Sequence, residues 1–423
     1  MRRQGWVART TETVRRHRPD YMVVLYMGLL MLFGLIIIYA IGPQRANVLN
    51  NLSGGNYADD YFVIKQTVSL LLALGAFAAM AIIPYSVILK RGGLLLGAGL
   101  AACLLLYLIA QTGSGLALCS LGACRWFDLG PLGSLQPAEI LKFGLLVYVA
   151  GFLGMRAKEG KIDSVKETLV PVGLLLAVSL LFIIVAQRDL GTGIALTSIV
   201  VAMLFMGGLS KKILTTVLIF LLVAGVIFIF SAPHRVARVL TFLQGDNTSL
   251  DDDSSYHIEH AKIAIGSGGL TGVGIGNSVQ ATGYLPEVIN DSIFAIMGET
   301  FGFIGLSAII ALFVALLMRL LKVMDHLVEM RLKLLVAGVF GWFGAHVILN
   351  TASMTGIFPL TGITLPLLSF GGTSMIFITA ALGLVFQLSR YTIHGSRIKE
   401  DSDEGIGSRR RVGRTRYASR SGS

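Results

Sequence analysis

The chain has 423 residues, 54% of them hydrophobic and only 14% charged. Ordinary soluble domains carry about a quarter charged residues, and so few charges could not cover a soluble surface of this size. A soluble enzyme, a disordered chain and, with only three cysteines, a secreted disulfide scaffold are excluded.

Residues 1–20 are basic and lead into an apolar run near Tyr21–Ile41. No small-residue cleavage site follows a short apolar core, so the run reads as a signal anchor rather than a cleavable signal peptide. Nine further apolar stretches of about spanning length follow it. They lie near Gln66–Ile83, Gly93–Ile109, Pro137–Met155, Leu169–Gln187 and Gly191–Met206. The last four lie near Ile213–Phe230, Ile293–Met318, Leu334–Leu349 and Thr373–Leu388. The 50 glycines suit close helix packing in lipid. The expected fold is an all-α polytopic membrane protein. It has ten transmembrane helices, with a long extracytoplasmic loop, 231–290, between helices 7 and 8.

Ten spans put both termini on one side, and the basic residues say which. Segments 1–20, 84–92, 156–168, 207–212, 319–333 and 389–423 hold most of the 35 Lys and Arg. The positive-inside rule makes them cytoplasmic. Acidic residues lean to the other face. The net charge of +11 is then a topology signal, aided by anionic membrane lipids, and not a nucleic-acid footprint. The organisation expected is a cytoplasmic basic segment 1–20, a ten-helix core 21–390 and a disordered basic cytoplasmic tail 391–423. The chain is expected in the cell membrane.

Polar residues and turn formers gather in four outer segments: 112–136, 187–193, the loop 231–290 and 351–373. Together they could form one site at the outer membrane surface, suited to a lipid-linked substrate. Cys119 and Cys124 lie in the first segment, in a compartment that permits a disulfide between them. Glu139 and Lys142, at i and i+3, share one helix face, as a functional pair or a self-neutralising one. In the long loop, Glu287 follows Pro286, and Asp291 opens an apolar run, as a helix cap or as a catalytic carboxylate. Arg238 supplies a cation in the same loop. Two carboxylates and several arginines at a membrane surface suit a pyrophosphate-linked sugar.

The run Gly266–Ser278 contains GxGxG but lacks a βαβ setting, so flexible turns are favoured over a phosphate cradle. His257, Glu259 and His260 read as a solvated face rather than a metal site. No metal ligands are assigned. In 351–373, Pro359, Pro366, Gly356, Gly362, Gly371 and Gly372 cannot continue a helix, although the apolar residues fit membrane depth. Such backbone lines a cavity or packs as a tight turn.

Four ordered segments carry a resemblance. They are CRWFDLGPLGSLQPAEILKF (Cys124–Phe143), QRDLGTG (Gln187–Gly193), GSGGLTGVGIGNSVQATGYLPEVINDSIFAIMGETFGFIG (Gly266–Gly305) and GIFPLTGITLPLLSFGGTS (Gly356–Ser374). With them the chain resembles the SEDS proteins (shape, elongation, division and sporulation), which include FtsW, RodA and SpoVE. The RPDY start, the GITLPLLSFGG segment and the cytoplasmic extensions look more like the FtsW branch.

The resemblance implies a peptidoglycan glycosyltransferase that polymerises lipid II at the outer membrane face, in septal synthesis during division. It implies a class B penicillin-binding protein and other division proteins as partners. The family's essential acid falls on Asp291. Its motifs place substrate contacts at Arg125, Trp126, Gln136, Glu139, Lys142 and Asp189. Glu287, Arg238, Pro366, Ser369, Gly371 and Gly372 complete the expected substrate site. The leaving group is undecaprenyl pyrophosphate, whose charge Arg125, Lys142, Arg238 or a divalent cation (Mg or Mn) could meet; no cofactor is certain. Ala138, Arg188, Asn290 and Thr300 stand where the family usually has Ser, Pro, Thr and Glu. The alternatives are a lipid II flippase, or a division scaffold that recruits partners through its basic tail.

Overall fold

The computed structural model describes residues 18–392, apart from 114, 121–122, 131–132, 231–235 and 237–252. Most of the basic N-terminal segment, the tail from 393, Arg238 and the first part of the predicted long loop lie outside the described residues.

The protein is a helical membrane protein. Helix α1, Tyr21–Ser53, begins where the Asp20 carboxylate accepts the Met22 N–H at 3.1 Å, and ends at Gly54, whose φ of 63° is the left-handed conformation that favours glycine. Helices α2 (Tyr61–Ile82), α3 (Tyr85–Lys90) and α4 (Gly92–Gln111) follow. Helix α5, Pro137–Lys158, starts with proline in its first turn, where no N–H is needed, and ends with Arg156 and Lys158 at the negative end of its dipole. The next apolar stretch is wound in three pieces: a π-turn Val165–Leu169, helix α6 Val170–Leu180 and a second π-turn Leu181–Ala186. Helices α7 (Leu190–Met206), α8 (Lys211–Phe230) and α9 (Asp253–Ser267) come next. The last three are α10 (Ile293–His326), α11 (Met330–Met354) and α12 (Gly372–Leu388).

Eight helices among the described residues are long and apolar enough to cross a membrane. The sixth and seventh predicted stretches are also helical, as α7 and α8. Burial separates centre from rim. About three quarters of the apolar window of α5, α11 and α12 is buried (72%, 78% and 72%), against 22% in α4 and in Val165–Ala186. The rim helices leave Leu94, Leu105, Leu174 and Leu181 exposed, as a lipid-facing surface requires.

Two features depart from a purely helical core with a plain outer loop. The segment after α4 forms an antiparallel sheet in the order β1 (Ala117–Ser120), β2 (Ala123–Asp128), β3 (Ser134–Leu135). A disulfide joins the facing residues Cys119 and Cys124. The described part of the long loop contains α9, which packs on α10.

The glycine run after α9 has a structural use. Gly302 interrupts α10 at φ 65°, and a Cβ there would lie 2.3 Å from the Gly272 nitrogen. Val273 N–H and Gly274 N–H donate to Glu299 O and Thr300 O at 2.9 and 3.1 Å, and Phe303 N–H donates to Gly269 O at 2.9 Å. The carbonyls and amides freed by the break are thus paired by the glycine run.

Candidate active site

The turn 286–292 between α9 and α10 carries Asp291. Three neighbours hold its backbone. Asn350 on α11 donates its side-chain amide to Asp291 O at 2.8 Å and to Ile363 O at 2.7 Å. The Ser369 hydroxyl donates to Asn290 O at 2.7 Å and accepts the Leu365 N–H at 2.8 Å. Phe370 N–H donates to Ile289 O at 2.8 Å. The irregular segment 355–371 is therefore a brace around the Asp291 turn, and Gly362 sits against the carboxylate, where a Cβ would lie 3.5 Å from Oδ2.

On the α9 side, Ser292 donates to Pro286 O at 2.8 Å, which uses its single hydroxyl proton. His257 Nε2, 2.6 Å from that hydroxyl, must then donate to it. Burial pushes the His257 imidazole down to about 4, against the pull of Glu287, so the ring is neutral at pH 7.

Asp291 itself is partly accessible. Burial pushes its carboxyl up to about 7, reinforced by the charges of Glu287 and Asp189 and opposed by Arg125. Glu287 is exposed on the same turn, in the left-handed region at φ 49°, and accepts a hydrogen bond from Asn290. A carboxylate poised near neutrality at an accessible position can take up a proton during a reaction.

Arg125 on β2 reaches the Gln187–Asp189 turn, donating to Gln187 O at 3.3 Å and to Arg188 O at 2.8 Å. Asp189 caps α7, accepting from Thr192 N–H and the Thr192 hydroxyl, both at 2.9 Å. Gly191 allows α7 to meet segment 355–371, since a Cβ would lie 2.4 Å from Ile363 Cγ1. So Arg125, Asp189, Glu287, Asp291 and Ser369, from four separate stretches of sequence, converge.

Glu139 and Lys142 pair at 2.8 Å, both buried. Lys142 Nζ also lies 3.3 Å from His346 Nε2 and 4.9 Å from the centre of the Trp342 ring. His346 Nδ1 faces Thr364 O at 3.4 Å. The pair ties α5, α11 and the brace together, and the second carboxylate oxygen of Glu139, Oε2, is buried without a hydrogen-bond partner. Gln136 is buried just before α5, and Trp126 is half-buried on β2. Pro366 is buried inside the brace, and Gly371 and Gly372 start α12. Glu299 accepts from Ser278 Oγ and from Val279 and Gln280 N–H, which makes it a structural anchor. His260 Nδ1 donates to Gln280 Oε1 at 2.8 Å rather than joining His257. Among the described residues no group of three or more His, Cys, Asp or Glu is arranged as metal ligands.

Sequence reasoning passed over Asn350, His346 and Trp342. A signal was present: His346 and Asn350 are polar groups inside a spanning stretch, where such groups are rarely idle.

Fold and site define a class: a multi-pass helical membrane protein whose polar segments converge at one end of the bundle. The chain belongs to the cell cycle protein family FTSW_RODA_SPOVE, whose model matches residues 20–394. The stage V sporulation protein E of Bacillus subtilis is 31% identical over 90% of this chain and 99% of its own length. A probable peptidoglycan glycosyltransferase FtsW of Methylomonas methanica is 34% identical over 82% of this chain and 89% of its own. Among solved structures, one chain of a peptidoglycan synthase complex, described as coordinating polymerization and crosslinking, aligns with TM-score 0.68 and 25% identity. That alignment covers 88% of this chain and 98% of the other. The rod shape determining protein RodA of Thermus thermophilus shares the fold, with TM-score 0.63, 24% identity and coverage of 92% and 99%.

Proposed function

We propose that this chain is a peptidoglycan glycosyltransferase that polymerises lipid II at the outer face of the cell membrane, with Asp291 as general base. Membership of the family and the names of its relatives support the reaction class. The observation that carries the residue assignment is the partly accessible Asp291 carboxyl, held on a braced turn where Glu287, Asp189 and Arg125 act on it.

In the reaction, the Asp291 carboxylate takes the proton of the acceptor sugar hydroxyl as its oxygen bonds to the donor's anomeric carbon. The bond from that carbon to the pyrophosphate oxygen breaks, and its electron pair leaves on undecaprenyl pyrophosphate. Arg125 stands beside the site to meet that charge. Burial, reinforced by Glu287 and Asp189, holds the Asp291 pKa up.

The chain acts in septal synthesis with a class B penicillin-binding protein; the likeness to a synthase complex chain supports such a partner. Ten helices of the core 21–390 cross the membrane, with α7 and α8 among them. The basic segments 1–20 and 391–423 both lie in the cytoplasm. Asp20 supports one side for both ends: its carboxylate pairs with Arg319 and its N–H donates to Ser389 at 2.8 Å.

The test is lipid II turnover by the full chain in proteoliposomes, with and without a cognate class B penicillin-binding protein. Glycan chains are the expected product. Transfer of labelled lipid II across the bilayer with no chain formation under either condition would contradict the proposal.

A further inference from the structure

A cavity of about 520 Å³ lies between α4 and the π-turn Leu181–Ala186, within the range of about 300–1,000 Å³ that small ligands occupy. Its polar residues gather at one end: Gln111, Gln187 and Arg188. From that mouth, Leu104 and Tyr107 line one wall and Leu181 and Val185 the other. Seven residues of helix separate Gln111 from Leu104, so the apolar channel runs for about 10 Å along the bundle. Those four wall residues are exposed, which opens the channel sideways to lipid.

Three observations at the mouth point to a ligand. Arg188 is exposed and has no ion pair among the described residues. Its φ of 52° is closed to proline, the residue usual at this place in the family pattern, so the cation is a property of this chain. Gln187 is 2% exposed, and its amide finds no hydrogen-bond partner among the described residues beyond the neighbouring Cys103 thiol, a weak one. The third is the π-turn itself, a widened helical turn of the kind that collects at functional sites.

The mouth is also tied to the candidate active site. Arg125 binds the carbonyls of Gln187 and Arg188, and its charge acts on Asp291. We infer that this channel seats the chain of a polyprenyl phosphate-type lipid, with Arg188 and Gln187 meeting its phosphate. The inference rests on the lipid-linked substrate proposed above and locates where that lipid leaves the site.

The test is native mass spectrometry of the full chain in micelles with undecaprenyl phosphate. Arms with phosphatidylglycerol, uncharged undecaprenol and inorganic phosphate distinguish the sources of binding. Two variants fill the channel from opposite walls, Leu104→Trp and Val185→Trp; both positions face lipid, so folding is retained and is checked by melting. Each is expected to weaken undecaprenyl phosphate binding about tenfold or more. Arg188→Gln is expected to weaken it about fivefold while leaving undecaprenol unaffected. Wild-type affinity in both tryptophan variants overturns the inference. So does equal retention of phosphatidylglycerol, or competition by inorganic phosphate alone. A chain that binds the lipid and loses this in the tryptophan variants, yet makes no glycan, would refute the proposed function and leave the channel standing.

Discussion

At the scale of single residues, the account turns on the proton of Asp291. Burial and two negative neighbours raise its pKa to about 7, and only the ionised form can act as base. The rate should rise about tenfold per pH unit below 7 and level off above it. Removing the negative neighbour in Glu287→Gln should move that rise to lower pH; removing the positive one in Arg125→Gln should move it to higher pH. A pH–rate series on the three proteins checks both directions. Stability has the opposite sense. A carboxyl whose folded pKa is raised above its unfolded value contributes most below the unfolded value, and that contribution is lost as pH rises through about 7. Asp291→Asn should therefore melt at or above the wild-type temperature at pH 8 and show no such loss between pH 5 and 8.

At the scale of elements, the site depends on the brace 355–371 and on Asn350, which holds both the brace and the Asp291 turn. Asn350→Ala leaves two carbonyls without their donor, at a cost of about 1–3 kcal/mol each where they are buried. The variant should melt several degrees lower and lose kcat more than KM, as thermal melts and steady-state kinetics would show. Gly302→Ala sets a Cβ against the Gly272 backbone and should destabilise the break in α10, which a melt would also register. Elements differed in how far they could be read. Apolar length marked the helices, because in lipid each spanning segment must satisfy its own backbone. The strands β1–β3 were missed because they arise from two short antiparallel pairings and a disulfide, which leave no hydrophobic period. The use of the glycines around Gly272 was not legible either, since it depends on a second backbone 30 residues onward. Asp291, Glu287 and Arg125 were visible through their motifs. What brings them together, the Asn350 and Ser369 bonds, is a long-range contact that no local pattern encodes.

At the scale of the whole molecule, burial divides the bundle into a packed centre of α5, α11 and α12 and a lipid-facing rim. The Asp291 turn hangs from the centre, whereas the proposed lipid channel opens through the rim between α4 and Leu181–Ala186. That division gives a substrate with a polar head and a long tail two surroundings at once. The proposed topology, with both ends cytoplasmic, has its own test: Tyr284→Cys should react from outside with a membrane-impermeant thiol reagent, and Lys211→Cys should react only after permeabilisation. The reverse pattern would invert the topology and place the site on the wrong face for cell-wall synthesis.

The most direct measurement is glycan synthesis from lipid II by three purified, folded proteins in proteoliposomes: wild type, Asp291→Glu and Asp291→Asn. The account predicts long chains from wild type, a reduced rate from Asp291→Glu and none from Asp291→Asn, whose amide cannot accept the hydroxyl proton. Chain synthesis by Asp291→Asn at the wild-type rate would contradict it.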